Sequence, residues 1–216
     1  MKLLDSAGPN PRMVRMFMQE KGIELPTEQI DLLGAENRGE AYVKRNPAGQ
    51  IPALELEDGT VIAETVAMCE YLEDLNPQKA LVGSSPEEKA ETRMWVRRVE
   101  LNITEHLYNG FRYAEGLGLF RDRVYCIPEA ADEIKKKGQD GLKWLDGQLA
   151  GKQFIAGDRM TLADLVLYCC LDFVASVGQP LDPSMQNVKA WFDRMNARQS
   201  ANDTLADNWE EMGMRM

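Results

Sequence analysis

The hydrophobic period changes repeatedly over the first third of the chain and stays helical over the rest. Lys2 to Asp5 forms a short apolar run, broken by Ser6-Ala7-Gly8-Pro9-Asn10-Pro11. From about Arg12 to Lys21, Met13 with Phe17 and Val14 with Met18 make i, i+4 apolar pairs, and Gly22 supplies a helix stop. Thr27 to Asp31, after Pro26, reads as a second strand, so this spacing predicts a parallel βαβ unit. Gly34 to Arg45 is polar and glycine-broken, with a helical turn or two around Ala41-Tyr42-Val43. Asn46-Pro47-Ala48-Gly49 is turn chemistry. Leu54 and Leu56 then alternate with Glu55 and Glu57, which gives one apolar and one wet face. Asp58-Gly59 suits a two-residue type I′ hairpin, with Val61-Ile62-Ala63 returning as its partner strand. Glu64-Thr65 opens a helix to about Leu75.

Turn formers and helix stops at Asn76-Pro77 and Gly83-Ser84-Ser85-Pro86 predict a linker from about Asn76 to Ser85. No strand pattern follows Pro86. Ser85 caps a helix whose first turn carries Glu87 and Glu88 and which runs through Trp95, Val99 and Leu101 toward Phe111. A second helix is expected from about Pro128 to Leu149, with Leu142 and Leu145 on its apolar side. Thr161 and Asp164 form an aspartate version of the capping box, with Met160 and Leu165 placed as a staple. The run behind it, Leu162 to Val174, is apolar nearly all round and reads as a buried central helix; Cys169 and Cys170 in it read as packing residues. Val188 to Met195 is a further amphipathic helix, and the tail after Ala201 carries no firm pattern. The order βαβ, irregular segment, ββα is the layout of a thioredoxin-like domain. The fold class is therefore α/β plus all-α: a domain over residues 1–77 and a helical bundle domain over 86–216.

Composition narrows the function more than the fold. A net charge of −10 argues against nucleic acid or an anionic membrane as the main partner. The one basic run, Lys135-Lys136-Lys137, reads as a solvated helix face. No apolar stretch is long enough to span a bilayer, the N-terminus lacks a secretory pattern, and a cytoplasmic location is expected. Cys69, Cys126, Cys169 and Cys170 show no disulfide framework, and with His106 as the single histidine no metal site is expected.

The stretch from Asn46 to Thr65 offers two places to a peptide-like ligand. If the Ile51–Pro52 bond is cis, the turn aims the N–H and C=O of Ile51 outward, where an extended ligand can pair with them as an added strand. The helix start at Thr65 leaves N–H groups that favour a carboxylate, and Glu64 beside it suits an ammonium. The plain alternatives are a trans Pro52 and an ordinary helix cap at Thr65.

Gln50-Ile51-Pro52, the hairpin and Glu64-Thr65 in this order resemble the glutathione site of the cytosolic, bacterial-type glutathione S-transferases. The resemblance covers nearly the whole chain. It implies glutathione as co-substrate, attack of its thiolate on a small apolar electrophile, and a homodimer. Glutathione would be held by Gln50, Ile51, Pro52, Glu64 and Thr65, with Arg38 and Lys44 as further cations. The helix after Pro86 would line the electrophile pocket, with Asn102, Glu105, His106, Tyr108, Asn109 and Tyr113 as contributors.

The thiolate donor departs from the family. With Arg12 aligned to the arginine that commonly begins helix one, the tyrosine-type position falls on Ser6 and the serine-type position on Gly8. The cysteine-type positions fall near Ala7, Pro9 or Asn10. Two side-chain donors remain: Asn10, the better placed, and Ser6. Backbone N–H groups of Asn10 and Arg12 are available to assist. An N-cap is the plain alternative for Asn10 and a turn hydrogen bond for Ser6. The absent cysteine excludes a glutaredoxin-type reaction and weakens a maleylacetoacetate isomerase assignment. A non-catalytic glutathione-binding regulator and a glutathione-dependent reductase of peroxides or disulfides are the alternative functions.

Overall fold

A computed structural model describes residues 1–207 and 209–216. Strand β1 (Lys2–Asp5) leads through helix α1 (Pro9–Lys21) to β2 (Thr27–Gln29), which pairs with β1 in parallel. A 3₁₀ turn (Glu36–Arg38) and α2 (Glu40–Arg45) fill the irregular segment before β3 (Ala53–Glu55), β4 (Val61–Ala63) and α3 (Thr65–Leu75). The sheet order is β2-β1-β3-β4, with β3 antiparallel to β1 and to β4. The sheet is therefore the expected thioredoxin-like one, followed by helices.

Three local expectations are corrected. The hairpin is not a two-residue type I′ turn: Gly59 N–H donates to Leu56 C=O at 3.1 Å and Leu56 N–H to Thr60 C=O at 2.8 Å. Glu57, Asp58 and Gly59 thus form a three-residue loop in which Gly59 takes the positive φ, 85°, and Asp58 does not. Helix α1 begins three residues ahead of Arg12, because Pro9 and Pro11 lack N–H groups that a first turn would leave unpaired anyway. The tail has structure: α10 (Gln199–Asp203) and α11 (Trp209–Met212) follow α9 (Gln186–Asn196), and Met216 is buried.

The helical half runs α4 (Pro86–Val99), a π turn (Glu100–Thr104), α5 (Glu105–Tyr113), α6 (Leu117–Phe120), α7 (Ala131–Gln148) and α8 (Leu162–Ser176). Trp95, Leu107, Leu142, Leu145, Leu167 and Trp191 bury one core around α8, and that core continues into Phe17, Leu54 and Leu72 of the first half. Thr161 and Asp164 form the expected capping box. Asp164 does more than cap, accepting from Ile155 N–H at 2.9 Å and from Trp191 Nε1–H at 2.8 Å, both away from its own helix.

The linker is held by a buried carboxylate. Glu73 accepts from the N–H groups of Leu81, Val82 and Gly83 at 2.7, 2.8 and 3.0 Å, and Lys21 Nζ reaches it at 3.1 Å. At the sheet, Arg45 joins Glu28 at 2.6 Å and Glu55 at 2.7 Å, while Lys2 joins the same two carboxylates at 2.7 and 3.2 Å. Hydrogen bonds from Arg45 first, then from Lys2, hold the Glu28 carboxyl down at about 2.

Two outcomes follow for stability. Asp164→Ala leaves two buried N–H groups outside its helix without partners, a loss of about 2 kcal/mol or more in urea unfolding. Glu28 is more acidic folded than unfolded, so its contribution is complete above its unfolded pKa of about 4.3 and is lost as pH falls toward about 2. Glu28→Gln should flatten the acid limb of stability over that window by about 1 kcal/mol or less, as expected for a half-exposed ion pair.

Candidate functional site

Strand register gathers the candidate residues at one end of the sheet. Leu4 faces Ala53 and Ala53 faces Ala63. The chain leaving β1, the chain entering β3 and the chain leaving β4 therefore emerge together, carrying Ser6–Asn10, Ile51-Pro52 and Glu64-Thr65. Asn10, Met13, Glu64 and Thr65 line one cleft with Glu100, Thr104, Glu105, Tyr108, Arg112 and Val166, around a space of about 80 Å³.

The start of α1 sets the first wall. Gly8 is the N-cap at φ 146°, ψ 158°, and a Cβ there would meet Pro11 Cδ at 3.3 Å. A side chain larger than hydrogen at this position would carry that strain in the present backbone. Asn10 is thus the second residue inside the helix rather than its cap, and it lines the cleft. Between Pro9 and Pro11 its backbone N–H stands alone, because Arg12 N–H is already bonded to Gly8 C=O at 3.0 Å. That bond removes Arg12 N–H from the expected donors. Ser6 is buried beneath the site and gives its hydroxyl proton to Ile30 C=O at 2.8 Å, a bond to the chain leaving β2 rather than the expected local turn bond.

The second wall is the hairpin end. The Ile51–Pro52 bond is cis, and among the described residues no hydrogen bond engages the N–H or C=O of Ile51. The loop before it is pinned from outside: Tyr42 hydroxyl and Asn46 Nδ2 donate to Gln50 C=O at 2.7 and 2.9 Å, and Asn37 Nδ2 donates to Gly49 C=O at 2.7 Å. The Gln50 side chain is left exposed. Glu64 occupies the N-cap of α3 at φ 68°, with no side-chain bond to the helix, so Thr65 is the first helical residue and not the cap. The Glu64 side chain is left exposed. Arg38 lies against the Gly49 backbone, with Nη1 at 3.4 Å from Ala48 C=O. Lys44 is taken up by Glu40 at 2.7 Å on the exposed face of α2.

The third wall comes from α4 and α5. Thr104, at the end of the π turn, and Tyr108 and Arg112 of α5 follow at i, i+4 spacing, and Glu100 and Glu105 line the cleft with them. Of the residues expected in this wall, Glu105 and Tyr108 line the cleft. Asn109 supports it by accepting from Arg112 at 2.9 Å, and Asn102 turns back to Arg98 C=O at 2.8 Å. His106 and Tyr113 lie outside the lining. Thr104 and Arg112 were missed, although their spacing from Tyr108 was visible in the sequence. Burial raises the Tyr108 phenol well above its usual range, so it stays protonated. Burial likewise raises the Cys69 thiol and pushes Cys169 up to about 12, which makes both inert packing groups.

Residues 7–75 match a family model described as "Glutathione S-transferase, N-terminal domain", and residues 125–199 match one described as "Glutathione S-transferase, C-terminal domain". Glutathione S-transferase 2 of Saccharomyces cerevisiae is 30% identical over 206 residues, covering 92% of this chain and 86% of its own. Glutathione S-transferase GstA of Escherichia coli O157:H7 is 28% identical over 95% of this chain and 98% of its own. The crystal structure of Gtt2 from Saccharomyces cerevisiae superposes with a TM-score of 0.88 at 31% identity, over 95% of this chain and all (100%) of that one.

The pinned loop can be tested without any ligand. Tyr42→Phe removes the shorter of the two bonds to Gln50 C=O. Amide hydrogen exchange at residues 49–51 should quicken roughly five- to tenfold while exchange in β1 is unchanged.

Proposed function

Because the chain belongs to the glutathione S-transferase family, we propose that it binds glutathione along this sheet end and, as a transferase, activates its sulfur through Asn10. The peptide lies extended, its central amide paired with the N–H and C=O of Ile51. Its amino-acid end meets Thr65 and the N-terminus of α3, with the ammonium against Glu64. The sulfur then falls beside Asn10.

Support comes from one observation above the others: Asn10, Glu64 and Thr65 share a single cleft. A free thiol has a pKa of about 8.5 and is only a few per cent ionised at neutral pH. Lowering that pKa by two units requires about 2.7 kcal/mol of preference for the anion. The Asn10 side-chain amide, its unshared backbone N–H and the positive end of α1 together are of that size. Arg38 and Gln50, beside the Ile51 end of the peptide, suit its glycine carboxylate; Lys44 is the weakest of the candidates because Glu40 already neutralises it.

In the reaction the thiolate forms a C–S bond to an electrophilic carbon while the leaving group departs with its electron pair. With chlorodinitrobenzene, chloride leaves. Positioning and charge stabilisation supply the rate.

Asn10→Ala should lower kcat/KM with chlorodinitrobenzene by about tenfold or more and move the thiol titration in the pH–rate profile upward, with glutathione still bound by calorimetry. Ser6→Ala should lower stability and leave the titration in place. The reverse pattern removes Asn10 from the mechanism. Glutathione binding without turnover of chlorodinitrobenzene or a hydroperoxide replaces the transferase with a binding protein.

A further inference from the structure

Arg112 is the one cation among the residues lining the cleft. Its guanidinium sits 5.8 Å from the ring centroid of Tyr108 and 5.8 Å from that of Phe120, and Nη1 donates to the neutral Asn109 side chain at 2.9 Å. Among the described residues no carboxylate forms an ion pair with it at 4.0 Å or less. Arg12, Arg15, Arg45, Arg198 and Arg215 each meet an acidic side chain at 2.6 to 2.9 Å. Among the described residues Arg98, Arg123 and Arg159 are also partly buried without an ion pair, but none of them lines the cleft.

Three acids share the cleft with Arg112 and none ion-pairs with it; Glu64 is the one placed against the glutathione ammonium. Glu100 is engaged by Arg97 at 2.9 Å. Glu105 lies on the same face of α5 seven residues away, about 10 Å along the helix, a distance at which salt screens exposed charges. Two aromatic faces hold the guanidinium plane in position and leave Nε and Nη2 as a donor fork without a protein acceptor. A half-buried planar fork of this kind matches the geometry of a carboxylate.

We propose that Arg112 makes this cleft selective for electrophiles that carry a carboxylate, gripping that group while the thiolate attacks a carbon elsewhere on the molecule. The inference rests on the transferase reading above and specifies its substrate class. With 4-chloro-3-nitrobenzoate as the probe, the sulfur bonds to the chlorine-bearing ring carbon. Electron density moves into the nitro group and returns as the C–Cl bond breaks and chloride leaves. The carboxylate is unchanged and serves as the handle.

The test compares 4-chloro-3-nitrobenzoate with 4-chloro-3-nitrobenzamide, which differ in charge and hardly in shape. The kcat/KM ratio, corrected for the uncatalysed rates, should favour the benzoate by about tenfold or more, the scale of a charge-assisted hydrogen bond. Arg112→Gln should bring the ratio close to one. Arg112→Lys should leave an intermediate ratio, since charge remains but the fork is lost. Calorimetric glutathione binding in both variants controls for folding. No preference in the unaltered protein, or a preference kept by Arg112→Gln, overturns the role of Arg112 and spares the transferase. Glutathione binding with neither probe conjugated overturns the transferase reading itself, and this selectivity with it.

Discussion

A guanidinium with no exposure to water fixes how the two halves of this protein meet. Arg12, at the end of the first turn of α1, places Nη1 at 2.6 Å from Asp172 on α8 and Nη2 at 2.6 Å from Ala201 C=O. An unpaired charge at that depth costs several kcal/mol, so α1 can dock on α8 only where both acceptors meet Arg12. Asp172 is also bound by Arg215 at 2.9 Å, which brings the C-terminal tail onto the same point. Arg15 repeats the pattern one turn on, with Asp5 at 2.7 Å and Thr204 C=O at 3.0 Å. Because the cleft lies between α1 and α5, this docking sets the distance between Asn10 and the opposite wall.

Buried carboxylates perform the same service elsewhere, which gives much of the acidic composition a structural meaning. Glu73 collects three successive N–H groups of the linker and the Lys21 ammonium. Asp164 collects a helix cap, a loop amide and an indole. Each stands where the chain cannot complete its hydrogen bonds in regular structure, and an acceptor with two oxygens satisfies several donors at once. The linker is thereby a fixed part of the molecule. The net charge of −10 alone gives no hint of this, since a side chain satisfying buried amides and one in solvent count the same.

The two halves of the site were unequally legible. Ile51-Pro52 and Glu64-Thr65 are contiguous in sequence with the hairpin that positions them, so local turn and helix-start chemistry is enough to read them. Asn10 was legible as a candidate, but its place in the helix was not. Whether a residue caps a helix or sits inside it depended on Gly8 adopting φ 146° and on two prolines that need no N–H partner. Ser6 stood as the second candidate, and the chain leaving β2 brings Ile30 C=O to its hydroxyl at 2.8 Å. Thr104 and Arg112 escaped because a polar residue four positions from Tyr108 carries no local signal of its own; only the packing of α5 opposite α1 and α3 puts that face into the cleft.

By itself the sequence determined the main elements and their order, the short α6, α10 and α11 excepted: the apolar period, the capping box at Thr161, the helix stops and the proline-bounded linker are all local and act through neighbouring residues. It also determined that no tyrosine or cysteine stands between Lys2 and Arg12. Only the tertiary structure decided which of the remaining donors is free. A hydroxyl, amide or guanidinium has the same chemistry wherever it sits; what it can do depends on whether distant segments supply it with a partner. Ser6 found one in Ile30 and Arg12 in Asp172, whereas Arg112, against two aromatic faces and a neutral amide, did not.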